Sequence, residues 1–201
     1  MELTHLRHLL EAQDWRAADE ETASCMMAVV RREERFFSLC SEASLVKFPC
    51  DALCALDDLW MEFSQGRFGF TAQAQVWRDC GSPDHGLSEQ WQAFGTAVGW
   101  RNPEVAEAST TASSDPELPW ANFAWNQALL DIERGWLSYD QLIFDETAPQ
   151  GHLPVLGQQV AYRDGPLTVA GWRPFHDVAQ GWSKARRAIL LARITHCRQL
   201  R

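Results

Sequence analysis

Leu3, Leu6, Leu9 and Leu10 recur at the spacing of one helix face, with His5, Arg7, His8 and Glu11 between them, which predicts a short amphipathic first helix. Asp14 stands as an N-cap before Trp15, and a second amphipathic helix is expected to run to about Val30. Residues 31–47 mix Arg31-Arg32-Glu33-Glu34-Arg35 with Phe36-Phe37 and small polar residues without a period, so they read as a loop holding at most a helical turn. Pro49 opens the clearest helix in the chain. Leu53, Leu56, Leu59, Trp60 and Phe63 form its apolar stripe, Asp51, Asp57, Asp58 and Glu62 are expected to face water, and Gly66 closes it.

Beyond Phe68-Gly69-Phe70, Thr71 is expected to cap a helix through Val76 and Trp77 to Cys80-Gly81, and Ser88 another through Trp91, Phe94 and Val98 to Gly99. Residues 102–118 are rich in proline and small polar residues and read as a loop or linker, after which Pro119 restarts a helix through Trp120, Phe123 and Leu130 to Gly135. The stretch 136–144 fits a short helix or an extended run equally well. Gly151-His152-Leu153-Pro154 reads as a turn. Alternating apolar residues about Asp164-Gly165 predict a hairpin near 160–169, and a basic helix is expected over about 178–198. The pattern as a whole gives an all-α, compact multi-helix domain spanning 1–201 with that one short hairpin.

Charge divides this domain. The formal net charge of the 201 residues is −9, but residues 1–155 hold 10 Lys and Arg against 25 Asp and Glu, a net of −15, while residues 156–201 hold 8 against 2, a net of +6. An acidic body therefore carries a basic tail, and nucleic-acid binding by the body is excluded as a function class. No apolar run approaches the roughly 18 to 20 residues that span a bilayer, so the expectation is a soluble chain without a visible leader. The six cysteines are expected to be buried free thiols in a reducing compartment, since a core-forming sequence needs no staples; Cys50 and Cys54 share a helix face without a matching metal-ligand pair. Ten Trp against two Tyr suit a flat or bulky apolar partner.

Four segments in order resemble the genomes-uncoupled family of porphyrin-binding proteins, accessory factors that stimulate magnesium chelatase in oxygenic phototrophs. They are Leu9-Leu10-Glu11-Ala12-Gln13-Asp14-Trp15-Arg16 continuing to Thr22; Phe48-Pro49-Cys50-Asp51-Ala52-Leu53 with Asp57-Asp58-Leu59-Trp60; Ser64-Gln65-Gly66-Arg67-Phe68-Gly69-Phe70-Thr71-Ala72-Gln73; and Ala148-Pro149-Gln150-Gly151-His152-Leu153-Pro154. Val98-Gly99-Trp100-Arg101, Trp136 with Tyr139, Leu142 and Phe144, and the terminal Leu191-Ala192-Arg193-Ile194-Thr195-His196-Cys197 add to the likeness. The resemblance implies a cupped helical domain whose concave apolar face binds protoporphyrin IX, magnesium protoporphyrin IX or a related bilin, with basic side chains meeting the propionates. It implies a non-enzymatic regulator or carrier in chlorophyll biosynthesis that presents its ligand to the large subunit of magnesium chelatase, in cyanobacterial-type cytosol or plastid stroma. A monomer is expected, with no nucleic acid, no catalytic metal and at most peripheral membrane contact. The alternatives are a helical protein-interaction module and a bilin-binding paralogue that does not activate chelatase. Two features depart from the family pattern: the core begins almost at Met1 without an N-terminal helical bundle, and residues 102–134 read as an insertion.

Each candidate contact has a plain structural alternative. Phe68 and Phe70 straddle a glycine and either present two rings to a ligand or plug the core; Trp60, Trp77 and Trp91 lie on core stripes, while Trp136 and Trp182 are less constrained. Arg186, Arg187 and Arg193 offer planar forks to propionates, or complement the end of the terminal helix, and Arg193 best matches the family's terminal motif. Arg67 either meets ligand or holds the glycine turn through carbonyls. His152 either ligates magnesium axially or fixes the turn before Pro154. With Phe144 and Leu153 these make up the candidate tetrapyrrole contacts.

Overall fold

The structure, a computed structural model, describes residues 2–33, 42–83, 89–104, 135–156 and 184–201. Helix α1 spans Thr4–Glu11 and buries Leu6 and Leu10. After a turn at Gln13, Asp14 caps α2 (Trp15–Glu33) by accepting from the Ala17 amide at 3.2 Å, and the helix outlasts its expected end by three residues. The stretch expected to be mostly loop contains a short helix, α3 (Glu42–Val46), which buries Leu45.

Helix α4 (Cys50–Phe63) buries Leu53, Leu56, Leu59 and Trp60 as its stripe requires. It also buries Asp57, which corrects the expectation that this carboxylate faces water. Asp57 is four residues after Leu53 and three before Trp60, so helical geometry sets it on the inner face. There it accepts from the Thr71 amide at 2.9 Å, the Thr71 hydroxyl and the Arg198 guanidinium. Thr71 does not take the capping role expected of it: the N-cap of α5 (Phe70–Asp79) is Gly69, two residues earlier. Gly69 has φ +120°, and a Cβ there would stand 2.8 Å from an Asp57 oxygen, so only glycine fits between α4 and α5.

Helix α6 (Glu89–Ala97) buries Trp91 and Phe94, and its expected cap, Ser88, lies outside the described residues. The ambiguous stretch resolves into a 3₁₀ turn, Tyr139–Gln141, boxed in by Ser138 and Gln141 and flanked by extended backbone, with Trp136 bridged to Arg101. The terminal basic helix, α7 (Lys184–Gln199), lies across α3, α4 and α5 and buries Leu190, Leu191 and Ile194 completely. Among the described residues the fold is seven α-helices and one 3₁₀ turn without a sheet. The helix expected after Pro119, the hairpin near 160–169 and the linker beyond 104 lie outside those residues.

One aromatic knot ties α2 to α4: Trp15 and Trp60 stack at 5.9 Å, and Phe68 meets both edge-on at 5.3 and 6.5 Å. The Trp60 indole N–H donates to Thr22 Oγ1 at 2.9 Å, which pairs that buried donor. Cys50 and Cys197 form a disulfide between α4 and α7, which corrects the expectation of free thiols at those positions. The two halves stand 147 residues apart, and nothing in local spacing announces their meeting. Cys25, Cys54 and Cys80 remain free, and burial pushes all three thiols up, Cys25 to about 12 beside Glu21.

Candidate ligand-binding site

Residues 151–156 form a completely buried strap that threads between α2, α5 and α7. A buried chain segment without regular structure must find a partner for each polar group. Gly151 donates to the Arg67 carbonyl at 2.8 Å, the His152 carbonyl accepts from the Trp100 indole at 2.8 Å, and the Leu153 carbonyl accepts from Gly69 at 2.9 Å. The Pro154 carbonyl takes the Gln73 side-chain amide at 2.8 Å. Asp19 then accepts from the Val155 and Leu156 amides at 2.5 and 2.8 Å, and from the Tyr139 hydroxyl at 2.8 Å. Burial and the Asp19 charge together hold Tyr139 protonated far above the ordinary phenol range.

Arg187 closes the strap from α7. It is 3% exposed, donates to the Val155 carbonyl at 2.8 Å, and lays its guanidinium 4.8 Å from the Trp100 ring centre. Desolvation lowers its pKa to about 10 against the opposing pull of Asp19, so it stays charged at neutral pH. His152 is equally committed. Its Nδ1 lies 2.6 Å from the Val98 carbonyl, which can only accept, and its Nε2 accepts from the Ile143 amide at 3.2 Å. The ring is therefore the neutral Nδ1–H tautomer, and burial depresses its pKa. Both nitrogens serve the turn.

Four of the candidate contacts thus meet at the strap, His152 and Leu153 within it and Arg67 and Arg187 hydrogen-bonded to it, while Phe68 and Phe70 flank Gly69, whose amide donates to the Leu153 carbonyl. Phe68, Phe70, His152 and Leu153 are fully buried, whereas Arg67 is exposed and donates to the Ala148 carbonyl at 3.2 Å. Trp136 and Phe144 lie on the 135–144 segment and are half-buried. Trp136 rests on Gly95 of α6, where a Cβ would come within 2.3 Å of the indole. Phe144 packs edge-on against Tyr139 at 5.0 Å, under the Arg16 guanidinium at 4.7 Å. Arg193 lies apart from this group: its Nε donates to the Phe48 carbonyl at the start of α4, at 2.9 Å. Arg186 is half-buried on α7, and Trp182 lies outside the described residues.

Sequence reading passed over Asp19, Gln73, Trp100 and Arg101. Asp19 carried a signal, since it sits four residues after Trp15 and three before Thr22, in phase with the buried face of α2. Arg101 carried only its place in the Val98-Gly99-Trp100-Arg101 run of the family likeness. It follows α6 beside Trp136, its Nε is buried without an acceptor, and its Nη1 reaches Thr96 Oγ1 at 3.5 Å. Arg7, Arg16, Arg198 and Arg201, by contrast, each pair with a carboxylate. Among the described residues no group of three or more His, Cys, Asp or Glu side chains is placed to hold a metal ion, and no helix is long and apolar enough to cross a membrane.

Among the described residues, an all-helical arrangement around a buried strap, with the half-buried Trp136 and Phe144 and an Arg101 whose Nε lacks an acceptor, defines the class of protein as a helical domain built around a central strap. The GUN4-like family model matches residues 1–165, and the chain belongs to that family. It is 39% identical over 158 residues to the chloroplastic Tetrapyrrole-binding protein of Arabidopsis thaliana, covering 75% of this chain and 46% of that one. It is 26% identical to the uncharacterized protein ycf53 of Porphyra purpurea, covering 79% and 51%. The chain therefore spans about half the length of these curated relatives. The ligand-free structure of Arabidopsis thaliana GUN4 shares the fold, with a TM-score of 0.52 at 20% identity over 77% of this chain and 84% of that one.

Proposed function

We propose that this chain binds a tetrapyrrole and regulates or carries it in chlorophyll biosynthesis, presenting it to magnesium chelatase, without catalysing a reaction itself. Family membership carries the reading, and the Arabidopsis relative named for tetrapyrrole binding supports it. The ligand is protoporphyrin IX, magnesium protoporphyrin IX or a bilin. Trp136 and Phe144 supply flat, partly exposed rings against which a macrocycle can bury apolar area, at roughly 25 cal/mol per Å² before association costs are subtracted. Phe68, Phe70, Leu153 and His152 are fully buried and enter the reading as supporting residues beneath the contact surface. Arg67 and Arg186 are the proposed propionate contacts, Arg193 and Trp182 are carried by the family likeness alone, and Arg187 holds the strap. Arg101 joins the propionate contacts, because a propionate would give its buried Nε the acceptor it lacks.

Titration with protoporphyrin IX, magnesium protoporphyrin IX and biliverdin, followed by visible absorbance and tryptophan quenching, tests the reading. A shifted band with saturable quenching is expected for at least one. Trp136→Ala and Arg101→Met should each weaken binding about tenfold or more while leaving the far-ultraviolet circular dichroism unchanged. Absence of any band shift or quenching with all three ligands would sink the proposal and leave a helical protein-interaction module. Normal affinity in both variants would show the site to be misplaced.

A further inference from the structure

The disulfide joins the first residue of α4 to the last turn of α7, two elements that are already seated on each other without it. Leu190, Leu191 and Ile194 are fully buried beneath α7. Arg193 bonds the Phe48 carbonyl, and Arg198 bonds both Asp57 and Asp58. The covalent link therefore adds to a docking that stands on apolar and ionic contacts. Its sulfurs are also unequal: Cys197 is fully buried, whereas Cys50 is half-buried at a helix start. Cys54 lies one turn along α4 from Cys50 but is buried, and burial holds its thiol protonated, so it is a poor competitor for exchange.

At its other end the same helix places Arg187 on the Val155 carbonyl, inside the buried strap. The helix thus runs as one rigid element from the sulfur link to the strap. From this connection we infer that Cys50–Cys197 is a reversible redox clasp, whose opening by a dithiol reductant loosens the C-terminal half of α7 and, through Arg187, the strap. The reductant's thiolate attacks the Cys50 sulfur and forms a mixed disulfide. Cys197 leaves as a thiolate and takes up a proton. The second thiol of the reductant then closes on the first and releases the Cys50 thiolate, which is protonated in turn. Two electrons and two protons pass from the dithiol, which ends as a disulfide, and a disulfide oxidant reverses the sequence.

The clasp is independent of which ligand the protein takes, and the test needs none. The full-length chain is treated with diamide, with dithiothreitol, and with dithiothreitol followed by diamide. Peptide mass mapping of alkylated Cys50 and Cys197 is paired with hydrogen exchange of residues 155–156 and 191–199. Expected are alkylation of both cysteines only after reduction, exchange about tenfold faster or more in both segments of the reduced but still helical protein, and full return on reoxidation. Cys50→Ser with Cys197→Ser should exchange like the reduced form under all three treatments, and Cys54→Ser like wild type. Three results overturn the clasp: ready alkylation of Cys50 and Cys197 in the diamide-treated protein, equal exchange in the oxidised and reduced forms, or unfolding on reduction, which would make the bond a structural staple.

Discussion

His152 carries one hydrogen, on Nδ1, and uses its Nε2 lone pair to accept from Ile143; protonation would set a new N–H against that amide. Burial is the main reason its pKa is lowered, only partly offset by the Val98 carbonyl. The folded state therefore favours the neutral ring. Its stability contribution is present in full above the unfolded value near 6.5 and is lost as pH falls through the folded value. Urea midpoints at pH 7.5 and 5.5 should show lower stability at the acid end, with a flatter slope in His152→Gln. Gly95 supplies a second prediction at this scale. A methyl group there would drive into the Trp136 ring at 2.3 Å, so Gly95→Ala should displace the indole and cost about 1–3 kcal/mol, visible as altered tryptophan fluorescence and a lower urea midpoint. If Trp136 contacts the tetrapyrrole, affinity should fall with it.

Helix α7 combines two jobs that its sequence presents as one. Arginines on a terminal helix read as a solvated basic face, yet Arg187 is buried on Trp100 and the strap, and Arg198 reaches the buried Asp57. Removing one member of such a buried set strands the others. Arg187→Ala should lower stability by about 3–5 kcal/mol in chemical denaturation, because the Val155 carbonyl loses its donor and Asp19 a cation that it attracts. Arg201, 45% exposed against Asp58, belongs to the rim of this arrangement, and its replacement by alanine should cost less than about 1 kcal/mol. The contrast between the two substitutions, read in one denaturant series, separates the structural arginines of α7 from the peripheral ones.

For the whole molecule, the division into an acidic body and a basic tail becomes a packing relation. Burial raises the Asp58 carboxyl, but hydrogen bonds from Arg198 and Arg201 outweigh this and hold it below its usual value. The tail's charge is thus partly spent on α4. Because α7 also covers α3, α4 and α5 with Leu190, Leu191 and Ile194, it is a core element. A chain ending at residue 183 is expected to lose cooperative thermal unfolding by circular dichroism, since three fully buried aliphatics at about 2–5 kcal/mol each exceed what a domain this size can give up. A sharp transition at the wild-type temperature would show α7 to be an appendage.

Periodicity determined much of this architecture: the helices led by Leu6, Trp15, Leu53 and Trp91 stand where their apolar stripes put them, and the ordered motifs pointed to the family that the chain proved to join. Those signals are local, each contained within a few turns of chain, and so survive in sequence alone. Three things depended on tertiary structure. Helical phase put Asp57 on the inner face of α4, but the partners that satisfy it there, Arg198 and Thr71, come from 141 and 14 residues away. Phe68 and Phe70 are buried because Trp15, Trp60 and their neighbours close over them. Arg187 and Cys197 found Val155 and Cys50 only when α7 folded back across the body. Long-range partners decide whether a charged or reactive side chain meets solvent, a ligand or the protein itself, and no spacing along the chain encodes that choice.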